Sequence, residues 1–274
     1  MTSNDIFQTL DDQDEATLDM VIARMEARAQ EPRYAEMRRA YLDRLDLQNA
    51  RTFLDLGCGT GIDARVAAGR PEFKGVATGV DASEGMIAAG LRLAAHEGVV
   101  DRVFLRPGDA AATGLPSGAF DTVVMSTLVS HVTDPLAVMR EGARLLSARG
   151  RLMVFDADFA SIAFGYPDAT VAKRIEALLL DSFVANPRIM RDLPALLPSL
   201  GLDLVSGASH IISDVGTTQF FGAFVNSYAP LIPRFDPSAT EQVSAWIEAQ
   251  NRAIAEGHFF ASLNFHSYLL RKPR

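Results

Sequence analysis

From Arg51 onward, short apolar runs alternate with amphipathic stretches, and few folds accept that alternation. The runs occupy 52–56, 75–81, 102–105, 120–126 and 151–156. Each is short and almost continuously apolar, the pattern of a strand covered on both faces. Between them, apolar residues recur at helical spacing near 62–69, 83–97 and 133–147. Parallel neighbours need a crossover, usually a helix, so the alternation predicts an α/β domain on a parallel sheet. Before the first run, 16–25 and 34–47 read as helices. After the fifth, helices are expected near 168–185, 189–199 and 238–256, with strands near 202–212 and 259–270.

Composition narrows the classes. Of 274 residues, 48% are hydrophobic and 22% charged, which suits a packed core and excludes disorder. No run approaches the ~20 apolar residues of a membrane span, and the first residues lack the apolar core of a secretion signal. A cytoplasmic protein is expected. Acids outnumber bases 34 to 26, for a formal charge of −8, so nucleic acid is a disfavoured partner. The single cysteine, Cys58, excludes an intrachain disulfide and a cysteine-rich zinc site.

The sharpest local feature is Asp55-Leu56-Gly57-Cys58-Gly59-Thr60-Gly61, where a strand should end and a helix begin. Glycines there let the backbone turn sharply and approach a ligand, and ligands of open α/β sheets bind outside the carboxyl ends of the strands. Asp81 closes the second run, 20 residues beyond Gly61, where a carboxylate can accept hydrogen bonds from a ribose diol. Gly108-Asp109-Ala110 ends the third run; its carboxylate suits an exocyclic amine. Phe120 to Ser126 supplies the fourth strand end. A dinucleotide fingerprint would need a third glycine where Ile62 stands, and no lysine follows to make a phosphate-binding loop.

In this combination the motifs resemble those of class I S-adenosylmethionine-dependent methyltransferases, in the small-molecule branch that includes quinone-biosynthesis enzymes. The likeness covers about 50–158 strongly and 200–272 in outline. Ser130-His131-Val132-Thr133-Asp134-Pro135 and the segment 144–152 look like that family's stretches after strand four and before strand five. Ser147-Ala148-Arg149-Gly150 departs from the lysine-proline-glycine turn of relatives. The resemblance implies a Rossmann-like, doubly wound, seven-stranded and mostly parallel sheet with an antiparallel last strand. It implies a lid at 1–48 and a cofactor-binding domain at 49–274, with helical insertions near 159–200 and 214–257. The implied cofactor is S-adenosyl-L-methionine. Asp55, Gly57, Cys58, Gly59 and Gly61 would hold its amino-acid end, Asp81 its ribose, and Ala82, Met86, Asp109 and Ala110 its adenine. Ser126 would lie under the sulfonium.

The expected reaction is direct methyl displacement to O, N or C of a small, apolar or aromatic acceptor. Histidine is the residue type that titrates near neutrality, which makes His131 the candidate base, against the commoner role of a hydrogen-bonded histidine at a helix start or in the core. Asp156 and Asp158 follow strand five and either orient an acceptor or cap the next loop. Asp121 opens its strand, at the wrong end of the sheet, so no metal site is expected. Arg24, Arg28 and Arg33 either reach the cofactor carboxylate or are solvated, with most expected at the surface. His96, His210, His258 and His266 read as structural. Aromatics between Phe159 and Trp246 are candidates for core and, in part, for an acceptor pocket. A homodimer is compatible with the sequence. Two other readings stay open: a methyltransferase of RNA or protein, disfavoured by the acidic balance and by Ser126-Thr127-Leu128-Val129 where an amino-acceptor motif would stand, and a cofactor-binding module without turnover.

Overall fold

A computed structural model describes residues 14–273. A seven-stranded sheet runs through the molecule in the order β3-β2-β1-β4-β5-β7-β6. Its strands are β1 (Thr52–Leu56), β2 (Val76–Asp81), β3 (Val103–Pro107), β4 (Phe120–Ser126), β5 (Leu146–Phe164), β6 (Asp203–Gly216) and β7 (Phe259–Arg271). The first five pair in parallel, and β7 inserts antiparallel between β5 and β6. The chain therefore has the doubly wound α/β architecture, with the strand order reversing between β1 and β4. That switch opens a crevice at the carboxyl ends of the strands.

Crossover helices cover both faces. They are α3 (Ile62–Gly69), α4 (Glu84–His96) and α5 (Pro135–Leu145). Two of them are capped by local chemistry: Ser83 accepts the Met86 N–H for α4, and Asp134 accepts the Ala137 N–H for α5. Alternate β1 residues serve opposite cores: Phe53 joins one apolar cluster, Leu54 and Leu56 the other. Burying each such side chain contributes about 1.5–3 kcal/mol.

Two helices precede the sheet, α1 (Glu15–Gln30) and α2 (Pro32–Leu42). Part of the expected 1–48 lid, residues 1–13, lies outside the described residues. The segment after β5 forms α6 (Ala169–Phe183) and α7 (Ile189–Leu196). Short 3-10 and π turns and α8 (Thr240–Ala255) separate β6 from β7. β5 is far longer than the expected 151–156, so 159–164 belong to the sheet and not to a helical insertion. Asp156 and Asp158 stay inside this strand because each is paired. Asp156 accepts the Ser130 N–H and hydroxyl at 3.0 and 2.9 Å, and Asp158 accepts both bonds of the Arg191 Nε at 2.8 and 2.7 Å. Neither caps a following helix. No helix among the described residues is long and apolar enough to cross a membrane.

Candidate functional site

A cleft of about 470 Å³ opens over the tips of β1, β2, β3 and β4. Its floor is the loop from β1 to α3. Gly57, Gly59 and Gly61 adopt φ of 70°, 53° and 72°, the left-handed region where side chains are strained. Space is equally restrictive: a Cβ on Gly57 would stand 2.3 Å from Leu128 Cδ1, and one on Gly59 2.8 Å from Met25 Cε. The Gly57 and Cys58 N–H groups donate back to the Val80 carbonyl, which fixes the loop against β2.

Asp81 sits beside this loop. Its Oδ2 accepts the Gly59 N–H at 2.7 Å and its Oδ1 the Ser83 N–H at 3.0 Å, which holds the carboxylate at the cleft wall. Asp109 is exposed on the opposite rim, bonded to the Ala111 N–H at 2.8 Å. Ala82, Ala110 and Ser126 line the cleft. Met86 does too, although it is almost wholly buried against Val21 of α1, so it serves the core and the cleft together.

Beneath the loop lies a buried polar knot. Asp55 is 2% exposed and accepts the Ala64 N–H at 3.2 Å, at the first turn of α3. Burial, and then the nearby Asp63 carboxylate, push its pKa well above the usual carboxylate range. Asp63 accepts the Tyr41 hydroxyl at 2.5 Å and faces the Arg38 Nε at 3.3 Å. Tyr41 also reaches Ser126 Oγ at 3.4 Å. Burial likewise raises the Cys58 thiol well above its ordinary value, with Asp55 and Asp81 adding to it, so Cys58 is a packing residue.

The β4 end supplies the remaining wall. Thr127 adopts φ of 51°, the one non-glycine with positive φ among the described residues, while its N–H donates to the Phe155 carbonyl at 2.7 Å. A β-branched residue there is strained. The kink carries Leu128 over Gly57 and leads to His131, whose ring meets Phe159 edge-on at 5.7 Å.

All twelve residues expected from the sequence meet around this one cleft: eleven of them, His131 included, line it, and Gly61 stands just behind it as the N-cap of α3. Sequence reasoning missed Met25, Tyr34, Arg38, Asp63 and Thr127, which also line it. Arg38 carried a readable signal, a charge on the apolar stripe of Tyr34, Met37 and Tyr41 in α2. Two expectations need correction. Arg24 and Arg33 are partnered and half-buried, Arg24 by the Ser227 hydroxyl and Arg33 by Glu31 and Asp214, so neither is a solvated surface group. The aromatics between Phe159 and Trp246 pack on one another and line no part of the cleft; Phe159 approaches it through His131. Asp121 lies, as expected, at the far end, accepting the Arg51 N–H at 2.9 Å.

Residues 54–154 match the methyltransferase domain family. The chain is 37% identical over 114 residues to nocamycin O-methyltransferase of Saccharothrix syringae, covering 42% of this chain and 40% of that one. It is 31% identical over 125 residues to demethylmenaquinone methyltransferase of Halalkalibacterium halodurans, covering 45% and 50%. A geranyl diphosphate methyltransferase solved in complex with S-adenosylmethionine superposes with a TM-score of 0.53 at 18% identity, over 88% of this chain and 86% of that one; this shows a shared fold. The chain spans less than two thirds of the length of the curated relatives it matches. With the glycine loop, the acidic strand ends and the 3-2-1-4-5-7-6 sheet in place, residues 54–154 carry a methyltransferase domain, similar to those of class I S-adenosylmethionine-dependent methyltransferases.

Proposed function

We propose that the chain binds S-adenosylmethionine across the strand tips and transfers its methyl group to a small acceptor. The observation that carries this reading is the pairing of a side-chain-free glycine cradle with the Asp81 carboxylate in one cleft. The cradle suits a ligand backbone at close approach, Asp81 a ribose diol, and Asp109 an adenine amine. Bound there, the cofactor supplies a methyl carbon already activated on a sulfonium sulfur. The protein mainly orients: alignment alone is worth up to roughly 7–11 kcal/mol in favourable systems.

Asp55 ties the end of β1 to the first turn of α3, and Asp63 ties α3 to Tyr41 and Arg38 of α2, which together frame the loop. Ser126, steadied by Tyr41, lies at the β4 tip, on the side where the acceptor must enter. His131 stands on the same wall, backed by the buried Asp156 and Ser130 pair. It would accept the proton that an O–H, N–H or acidic C–H acceptor gives up on methylation. An acceptor bearing a free lone pair needs no base. Helices α1 and α2 act as a lid that excludes water. The match to small-molecule methyltransferases supports a metabolite acceptor over RNA or protein.

Titration calorimetry with S-adenosylmethionine, followed by transfer of a labelled methyl group into a metabolite extract, tests the reading. Saturable binding with label in a small molecule is the expected result. Binding without transfer to any fraction leaves a cofactor-binding module, and label in RNA or protein overturns the acceptor class.

A further inference from the structure

The charges lining the cleft do not balance locally. Its acids, Asp55, Asp63, Asp81, Asp109 and Asp134, each accept a hydrogen bond from the protein. Arg38 is held by Asp63 and by the Ala29 carbonyl at 3.2 Å. Arg28 differs. It lines the same cleft and is half-buried, yet no carboxylate among the described residues lies within ion-pair distance of it. Its guanidinium carbon sits 5.2 Å above the Tyr34 ring centroid, and that of Arg38 lies 5.7 Å from the same ring. Stacking on an aromatic ring occupies a face of the guanidinium and leaves the N–H donors at its edge unused.

Delivery of Arg28 is also built in. It stands one turn beyond Met25, which covers Gly59, and beyond Glu26, which accepts the Thr60 hydroxyl at 2.5 Å and the Arg65 Nη2 at 2.6 Å. These contacts fix α1 over the glycine loop. From these observations we infer that Arg28 is a carboxylate receptor in the roof of the cleft. A planar guanidinium with free donors, steadied by Tyr34 and next to a second cation, matches the two oxygens of a carboxylate. The inference rests on the cofactor reading, because the ligand carboxylate has two sources: the amino-acid end of the cofactor or an acidic acceptor.

Calorimetry on wild type, Arg28→Gln and Arg28→Lys separates them. The probes are S-adenosylhomocysteine, 5′-methylthioadenosine, which lacks the amino-acid end, and benzoate added to the S-adenosylhomocysteine complex. If the cofactor supplies the carboxylate, wild type prefers S-adenosylhomocysteine over methylthioadenosine by roughly tenfold or more. Arg28→Gln loses that preference at unchanged methylthioadenosine affinity, and Arg28→Lys keeps part of it. If the acceptor supplies it, Arg28→Gln binds S-adenosylhomocysteine like wild type, and benzoate binds wild type alone. Equal behaviour of wild type and Arg28→Gln toward all three probes overturns the inference, as does a parallel loss for both nucleosides in Arg28→Gln. Failure of wild type itself to bind either nucleoside overturns the cofactor reading beneath it.

Discussion

Asp55 shows how much of this site is set by single side chains. A carboxyl group buried beside Asp63 holds its proton more tightly in the folded chain than in the unfolded one. Stability from such a group is greatest at low pH and declines as pH rises from the unfolded pKa toward the raised folded one. Asp55→Asn removes that decline. Its stability relative to wild type should therefore grow as pH rises from about 4 toward neutrality, followed by urea melts across that range. A constant offset would mean that Asp55 is ionised throughout. Asp81 tests the cleft at the same scale. Asp81→Asn should weaken S-adenosylhomocysteine by about 1–3 kcal/mol, the usual scale for a lost charged partner, and unchanged calorimetric affinity would place the ribose elsewhere. Asp81 and the glycines were legible because their chemistry demands those residue types at those positions. Asp63 and Tyr41 were not: Tyr41 comes from α2, and only tertiary packing sets its hydroxyl against Asp63.

Among the elements, α5 carries the loop that follows β3. Buried Glu141 accepts the Thr113 N–H and hydroxyl at 2.9 and 2.6 Å and two bonds from Arg144. The Arg144 hydrogen bonds lead in lowering its pKa to about 2, with Thr113 adding to them and burial opposing. A depressed carboxylate contributes stability above its unfolded pKa, and loses it as pH falls through the folded one. Glu141→Gln should cost about 2 kcal/mol at neutral pH, and the difference from wild type should vanish between about pH 4.5 and 2. Thermal melts over that range check it; a pH-independent cost would assign the effect to packing.

The seating of α1 answers to Glu26, through Thr60 and Arg65. Glu26→Gln should leave the melting temperature within a few degrees of wild type, because Arg65 keeps Glu97. It should speed protease cleavage within α1 and release of S-adenosylhomocysteine. An unchanged dissociation rate would separate α1 from the cofactor.

Element boundaries were legible where period and length agreed: β1, β4 and α3 lie where the sequence places them. β5 was truncated because Asp156 and Asp158 interrupt its apolar run. Their partners, Ser130 and Arg191, lie far along the chain and leave no local signal.

For the molecule as a whole, the parallel half was readable because each βα unit repeats one pattern. The half built on β6 and β7 was readable only in outline. There, Asp214 gathers the N–H groups of Gln219, Phe220 and Phe221 and pairs with Arg33, which ties the segment after β6 to α2. Such long-range polar anchoring has no sequence period. The same packing draws the aromatics into the core, so an aromatic-rich sequence there did not mean an aromatic-lined pocket. The proposed chemistry depends on where the adenosyl group lies. A crystal structure of the chain with S-adenosylhomocysteine should show it across the tips of β1, β2 and β3, its ribose oxygens within hydrogen-bond reach of Asp81 and its sulfur facing Ser126 and His131. A nucleoside bound elsewhere, with side chains closing the cleft over Gly57 and Gly59, would contradict it.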